Sequence, residues 1–451
     1  MACAEVGTWR CLRAHEAPLR ETAGASIGMD HRVLQQCRAA SSGLSLLPPS
    51  HPVPNFYLYP SPFDHEKLMA CFERTKHKPW NVTADTGAWM YHALEKHPAR
   101  VPTAERAEVL YYPTFAHLSE SAGTCDGKSH YSRMVAAANA LKAEHTFVMR
   151  PTDHLLVNGV ESATRAPLGE LGALVSGRGG FAACLDAKLC GFFKPERVLP
   201  LPWPSLHLLQ TAAVRSLVDS EACGVRRSAN SPYGARSTTL FFRGGLGTSK
   251  AAQDLRIRIP LLKSLSGAQI AIIGNDHVLP SSQSILSKNG QAKVNKLKRM
   301  DEQTYARSML KSKFCLCPAG DVGVSPGQRL YDAIAAGCVP ILLGVDAKQL
   351  PLAKQIDYKK FTASLSKQGF TKDPVYAIES IIHRLEPNHP NMLRALADAR
   401  GRLLYGTSDD GYPIVQSSRN FSEAAGMLLR EFRMMDRNAP VEAAKPLKDL
   451  I

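Results

Sequence analysis

Residues 313–345, KFCLCPAGDVGVSPGQRLYDAIAAGCVPILLGV, constrain the fold of this chain more than any other stretch. Phe314-Cys315-Leu316-Cys317 is a short apolar run of strand type, stopped by Pro318 and Gly320. Ser325 offers a hydroxyl at an N-cap position, and Pro326 fits the first helical position, where a missing N–H costs nothing. Leu330 and Ile334 recur four apart, so one face of a helix over 328–336 is apolar, and Gly337 supplies a left-handed stop. Residues 339–343 then form the next buried strand. A helix that starts at the carboxyl end of a parallel strand is where α/β folds hold phosphates. Arg329 and Asp332 lie three apart on that helix, so the spacing lets both face one ligand. An arginine suits a diphosphate and an aspartate suits the two hydroxyls of a ribose, while Ser325 and Gly327 present hydroxyl and N–H groups at the helix start.

The same alternation runs through the rest of the chain. Residues 56–59 read as an aromatic strand, 65–74 as a helix, 109–113 as a strand, 129–143 as a helix and 146–150 as a third strand ending at Pro151. From Thr238 the pattern restarts with a strand over 239–243, a GGLG turn, a helix over 250–264, a strand over 269–274 and a helix over 301–311 capped by Asp301. Three helices follow Pro374, near 376–385, 392–403 and 422–432. A chain of 451 residues exceeds one compact core. The boundaries predicted are a flexible lead-in over 1–54, a first α/β domain over 55–222 and a Pro-, Ser- and Arg-rich linker over 223–237. A second α/β domain over 238–403 and a C-terminal helix and tail over 404–451 complete the chain.

FCLCPAGD followed by SPGQRLYDAIAAGCVPILL resembles the C-terminal signature of the exostosin family, glycosyltransferase family 47. Residues 150–155, RPTDHL, resemble that family's Gly-Ala-Asp-His-Phe-type motif with the Asp-His pair kept and the glycines absent. Residues 193–202, FKPERVLPLP, resemble its proline-rich strand exit. The resemblance implies a GT-B-type α/β fold, two Rossmann-like βαβ domains facing a cleft with a helical C-terminal extension. It also implies an inverting glycosyltransferase using a nucleotide sugar, most readily a uridine-linked one, on a polysaccharide or glycoprotein glycan, in the Golgi lumen or at its membrane.

In that scheme an arginine or lysine and a helix dipole hold the diphosphate, so no metal and no cofactor beyond the nucleotide-sugar co-substrate is expected. Arg329 is the first candidate for the diphosphate. Arg243, which ends a strand just before Gly244, is the second, and the Gly244 backbone can approach a ligand. Arg256 and Arg258 compete for a later contact, and Asp321 is placed near the sugar. Asp153 and His154 stand as the pair that takes the acceptor proton, with His117, His130 and Asp321 as fallbacks.

Charge and composition narrow the classes further. Lys plus Arg exceed Asp plus Glu by 15, which favours anionic ligands. The densest basic run, residues 288–299, carries no aromatic between its charges, so a nucleic-acid partner is not expected. The 11 cysteines show no zinc spacing. Residues 1–50 contain no apolar run of signal-peptide or membrane-anchor length. A dehydrogenase reading of GGLG fails, because the third glycine is missing and no acidic residue ends the next strand, which runs out at Gly274-Asn275. The remaining alternative is a non-catalytic relative that binds nucleotide or glycan and assists a partner glycosyltransferase.

Overall fold

The computed structural model describes residues 52–77, 86–95, 97–159, 167–185, 190–205, 236, 238–242, 271–274, 277–278, 302–319, 326–404 and 423–436. Their strands form two sheets. The first contains β1 (Phe56–Leu58), β2 (Val109–Tyr112), β3 (His154–Asn158), β4 (Phe181–Cys184) and β5 (Val198–Pro200), paired in chain order and all parallel. Such strands are buried on both faces, which is why VLYY, HLLVN and FAAC read as unbroken buried runs. Phe56, Leu58, Val109, Tyr111, Leu155 and Val157 pack on one side with Trp89 and Met90 of the Thr86–Glu95 helix. Leu110, Tyr112, Leu156 and Ala182 pack on the other with Met134 and Leu141 of the His130–Ala143 helix. That helix starts as its sequence predicts, with the Ser129 hydroxyl accepting from the Ser132 N–H at 3.1 Å.

The expected third strand is displaced. Residues 146–149 fall in the short helix His145–Met149, which Arg150 caps, and the sheet takes up His154–Asn158 instead. Only Phe147 of the helix is buried, with Val148 and Met149 exposed, whereas every residue of β3 is buried on both sides. The more continuous apolar run wins the interior position.

The second sheet contains β6 (Thr238–Phe242), β7 (Ala271–Gly274), β8 (His277–Val278), β9 (Ser312–Pro318), β10 (Val339–Leu343) and β11 (Ala363–Leu365). Their spatial order is β8-β7-β6-β9-β10-β11, with all neighbours parallel except β7 and β8. Numbered within the sheet, this is the 3-2-1-4-5-6 order of a Rossmann fold. Together the two sheets give the α/β arrangement of the GT-B type. The order reverses between β6 and β9, and that point positions the site.

Several local devices hold this sheet. The helix Gln328–Ala335 ends as expected, with Gly337 at φ 62° and the Cys338 N–H bonded to the Ala333 carbonyl at 2.8 Å. Arg236, within the expected linker, is buried and donates to the carbonyls of Met309, Ser312 and Ala336. Bridges join Cys71 to Cys125, Cys184 to Cys190 and Cys315 to Cys338, while Cys317 is a buried thiol.

The three expected C-terminal helices are Pro374–Leu385, His389–Leu403 and Glu423–Arg433. The last returns to the first sheet. Phe432 meets Phe181 edge-on with ring centroids 5.1 Å apart, and Arg433 pairs with Glu108 at 3.2 Å. The same helix touches the second unit, since Gln355 Nε2 donates to the Met427 carbonyl at 2.8 Å. Among the described residues, no helix is long and apolar enough to cross a membrane.

Candidate donor-binding site

In parallel α/β sheets ligands bind outside the carboxyl ends of the strands, where the strand order reverses. Here that point lies between Phe242, which ends β6, and Pro318, which ends β9, and the helix Gln328–Ala335 follows from β9. The helix begins two residues later than the sequence suggests. Gly327 is its N-cap, at φ 63° and ψ −158°, a conformation open essentially to glycine alone. Pro326 therefore precedes the cap instead of filling the first helical position. A Cβ added at Gly327 would meet no atom within 4 Å, so backbone conformation, not crowding, requires glycine there.

Arg329 lies in the first turn, half-buried, with its Cζ 5.1 Å from the centroid of the Phe242 ring. A cation resting on an aromatic face is attracted by the negative face of the ring. The guanidinium is thereby stationed at the carboxyl end of β6, at the start of a helix whose dipole also favours an anion.

Asp332 departs from expectation. The sequence spacing places it beside Arg329 toward one ligand, but its side chain is only 3% exposed. One carboxylate oxygen accepts from the Ser205 hydroxyl and the other from the Tyr305 hydroxyl at 3.2 Å. Every residue from Leu330 to Ala335 is buried, so the second turn of the helix lies inside the fold. The carboxylate is thus held inside the fold and does not face outward beside Arg329 as the spacing predicts. Burial first, and then the Asp332 carboxylate, raise the Tyr305 hydroxyl well above its ordinary value, so it remains a donor. Burial pushes the Cys317 thiol up to about 12, partly offset by Arg329. Gln328 Nε2 donates to the Pro204 carbonyl at 3.4 Å, so the exit of the first unit rests on this helix at two points. Ser205 and Tyr305 carry no local sequence signal, because their partner lies elsewhere in the chain.

Arg243, Gly244, Arg258, Asp321 and Ser325 lie outside the described residues.

Asp153 and His154 are described, and they do not form the expected cleft-facing pair. His154 is the first residue of β3, at the amino edge of the sheet, opposite the edge where ligands bind. Its ring is fully buried. Nδ1 donates to the Arg150 carbonyl at 3.0 Å, and Nε2 accepts from the Tyr59 hydroxyl at 3.0 Å. Desolvation lowers its pKa to about 4, so the imidazole is neutral near pH 7. Asp153 accepts from Arg150 Nε at 2.7 Å, and that guanidinium also donates to the carbonyls of Ala104 and Ala107. The pair anchors a strand start.

Of the fallbacks, His130 bonds the Ser119 hydroxyl at 2.9 Å and the Pro167 carbonyl at 2.8 Å, so both ring nitrogens serve the fold. His117 stands differently. It follows the carboxyl end of β2, is half-buried, and its Nδ1 donates to the carbonyl of Gly159, just past the end of β3, at 3.2 Å. A carbonyl partner fixes the proton on Nδ1 and makes Nε2 the basic nitrogen. The backbone enters this turn through Phe115 at φ 40°, sparsely populated for a bulky residue. The only described group of metal-ligand spacing is Cys71, Cys125 and Asp126, and its two sulfurs are bonded to each other.

Comparisons with known proteins bear on this geometry. A "Probable glycosyltransferase" of Arabidopsis thaliana is 39% identical over 66 residues, 15% of this chain and 13% of that protein. A "Probable arabinosyltransferase" of the same plant is 41% identical over 64 residues, 14% of each. A "Probable glucuronosyltransferase" of Oryza sativa subsp. japonica is 35% identical over 69 residues, 15% of this chain and 16% of that protein. The matched segments thus span less than a fifth of these relatives' own lengths. A solved structure described as a UDP-N-acetylglucosamine 2-epimerase from Listeria monocytogenes covers 78% of this chain and 95% of its own. Its identity is 10% and its TM-score 0.30, too distant to argue from. The family model for the Exostosin GT47 domain matches residues 29–381, the greater part of the chain. The chain belongs to the exostosin family, glycosyltransferase family 47.

Proposed function

We propose that this protein is an inverting, metal-independent glycosyltransferase that moves a sugar from a nucleotide donor, most readily a uridine diphosphate sugar, to a polysaccharide or glycoprotein glycan. The observation that carries the proposal is Arg329 stacked on Phe242 at the point where the strand order of the second sheet reverses. In the reaction the bond between the anomeric carbon and the diphosphate breaks, the acceptor oxygen bonds to that carbon, and the acceptor proton passes to a base. Charge grows on the leaving diphosphate, where a preorganised cation and a helix N-terminus are worth most. Arg329 and the Gly327–Arg329 amides serve that end, and Arg243, Gly244, Arg258, Asp321 and Ser325 remain assigned to the donor from the sequence. Asp332 fixes the helix against Ser205 and Tyr305 instead of touching the nucleotide.

For the proton we assign His117, whose Nε2 is the basic nitrogen at the carboxyl edge of the first sheet. The plant relatives named as arabinosyl- and glucuronosyltransferases support transferase chemistry on plant-type glycans, and the family supports a Golgi setting. The burial of Asp332 favours one second reading, a nucleotide- or glycan-binding relative that assists a partner glycosyltransferase.

The test is a turnover screen of the full chain against nucleotide sugars, reading nucleoside diphosphate release with and without EDTA. Release from one donor, unchanged by EDTA and lost in Arg329→Ala, is the expected result. Thermal stabilisation by UDP without release, even with glycan acceptors present, selects the assisting role instead.

A further inference from the structure

The turn that carries His117 is built on a strained residue. Phe115 takes φ 40° and ψ 39°, the left-handed region that a bulky side chain rarely enters. Such a conformation persists only where the surroundings fix it. Two hydrogen bonds tie the turn to β3. The Thr114 hydroxyl donates to the Val157 carbonyl at 2.5 Å, and His117 Nδ1 donates to the Gly159 carbonyl at 3.2 Å. The buried Phe115 ring is held by other elements. His65 opens the helix His65–Lys76 that follows β1, and its ring meets that of Phe115 with centroids 4.7 Å apart. Tyr91, on the Thr86–Glu95 helix, meets Phe115 edge-on at 5.2 Å, and His92 meets His65 edge-on at 5.6 Å.

His65 offers this cluster a ring without a hydrogen bond at Nε2. Among the described residues that nitrogen is buried and has no partner, whereas both ring nitrogens of His130 and of His154 are bonded. Burial first, and then His92, lower the His65 pKa to about 4, with Asp64 opposing, so the ring meets Phe115 uncharged near pH 7. We infer that His65 is a positioning residue for His117: its ring keeps Phe115 left-handed, and the turn then holds His117 on the Gly159 carbonyl with Nε2 as the basic nitrogen. A turn released from that conformation carries His117, two residues on, away from Gly159. The inference rests on the assignment of His117 as the base, but the geometry it invokes is measurable without turnover.

The test reads His117 directly, by ¹⁵N spectroscopy of the full chain labelled at histidine, with the His117 signals identified by their loss in His117→Gln. One protonated and one unprotonated ring nitrogen are expected, the mark of a single tautomer. His65→Ala should move both signals toward an average, and His65→Phe, which keeps a ring against Phe115, should restore them. His97→Ala removes a half-buried imidazole that meets Phe56 at the opposite edge of the same sheet, and should leave His117 as it was. In turnover, His65→Ala should lower kcat about tenfold or more with donor KM little changed, because a displaced base slows the chemical step alone. In the His117→Gln background the same change should cost less than about twofold, since both act through one imidazole. Unmoved His117 signals in His65→Ala overturn the inference, as does an equal shift in His97→Ala, which marks general loosening. A full loss of kcat persisting in the His117→Gln background overturns it too, and so does a His65→Phe variant as impaired as His65→Ala. Absence of turnover with every donor removes the transferase reading, while the His117 signals still decide this one.

Discussion

Ser205 and Asp332, 127 residues apart, share a buried hydrogen bond that joins the exit of the first unit to the helix Gln328–Ala335 of the second. Tyr305 completes the arrangement from a third segment, at 3.2 Å. A carboxylate holding two hydroxyls inside the fold is costly to leave half-satisfied. Asp332→Ala strands both donors and is expected to destabilise the protein by about 2–4 kcal/mol. Ser205→Ala and Tyr305→Phe should each cost less, and together should depart from additivity, because both act through one carboxylate. Urea denaturation of the two single variants and the double variant measures that coupling; strict additivity would remove the shared-acceptor account.

Arg329→Ala should leave the melting temperature nearly unchanged while lowering donor turnover at least tenfold. A charge-assisted hydrogen bond to a diphosphate is worth roughly 1.5–3 kcal/mol. Arg329→Lys keeps the charge but loses the planar contact with Phe242, so it should recover only part of the activity. Full recovery by lysine would show that charge alone matters.

Gly327→Ala isolates conformation from crowding, since the added methyl meets nothing within 4 Å. The positive φ nevertheless costs roughly 1–3 kcal/mol for a residue with a Cβ. The expected readout is a raised KM for the donor with a smaller change in kcat, because the loop that presents the helix N-terminus shifts. An unchanged KM would detach Gly327 from donor binding.

His154 separates a structural from a catalytic reading. Its folded pKa, about 4, lies below the ordinary 6.5, so between these values the unfolded chain binds the extra proton. Stability from this group is complete above about pH 6.5 and declines as pH falls toward 4, at up to about 1.4 kcal/mol per pH unit. His154→Gln can still meet the Arg150 carbonyl and the Tyr59 hydroxyl, so it should flatten that acid slope while leaving turnover per folded molecule within a few-fold. A loss of several hundred-fold would restore His154 as a base.

His117→Gln is expected to lower kcat by about 10²-fold or more with little change in donor KM, the pattern of a lost general base. Diphosphate release in the presence of acceptor measures it. An unchanged kcat would return the proton transfer to a residue elsewhere in the chain.

The sequence exposed what is local. The strand, helix and strand around residues 313–345 are set by an apolar run, a positive-φ glycine and another apolar run within a few turns of each other, and they appear in the expected order with the helix starting two residues late. Long-range competition was hidden. Residues 146–150 have strand-like side chains, but His154–Asn158 fills the sheet better, and this moved Asp153 and His154 from the ligand edge to the opposite one. The depth of Asp332 was hidden for a related reason. Spacing on a helix says which residues share a face, not whether that face is roofed by Ser205 and Tyr305.

The helix Glu423–Arg433 carries a practical consequence for anyone recombining members of this family. Though last among the described elements, it fills the core beside β4 and fastens to Glu108. Exchanging the first half of this protein for that of a relative, with the crossover placed between the sheets, would set a foreign surface against Phe432 and Arg433. Chimaeras should keep their parents' function only when residues 423–433 travel with residues 52–205, as two distant pieces of one inheritable unit.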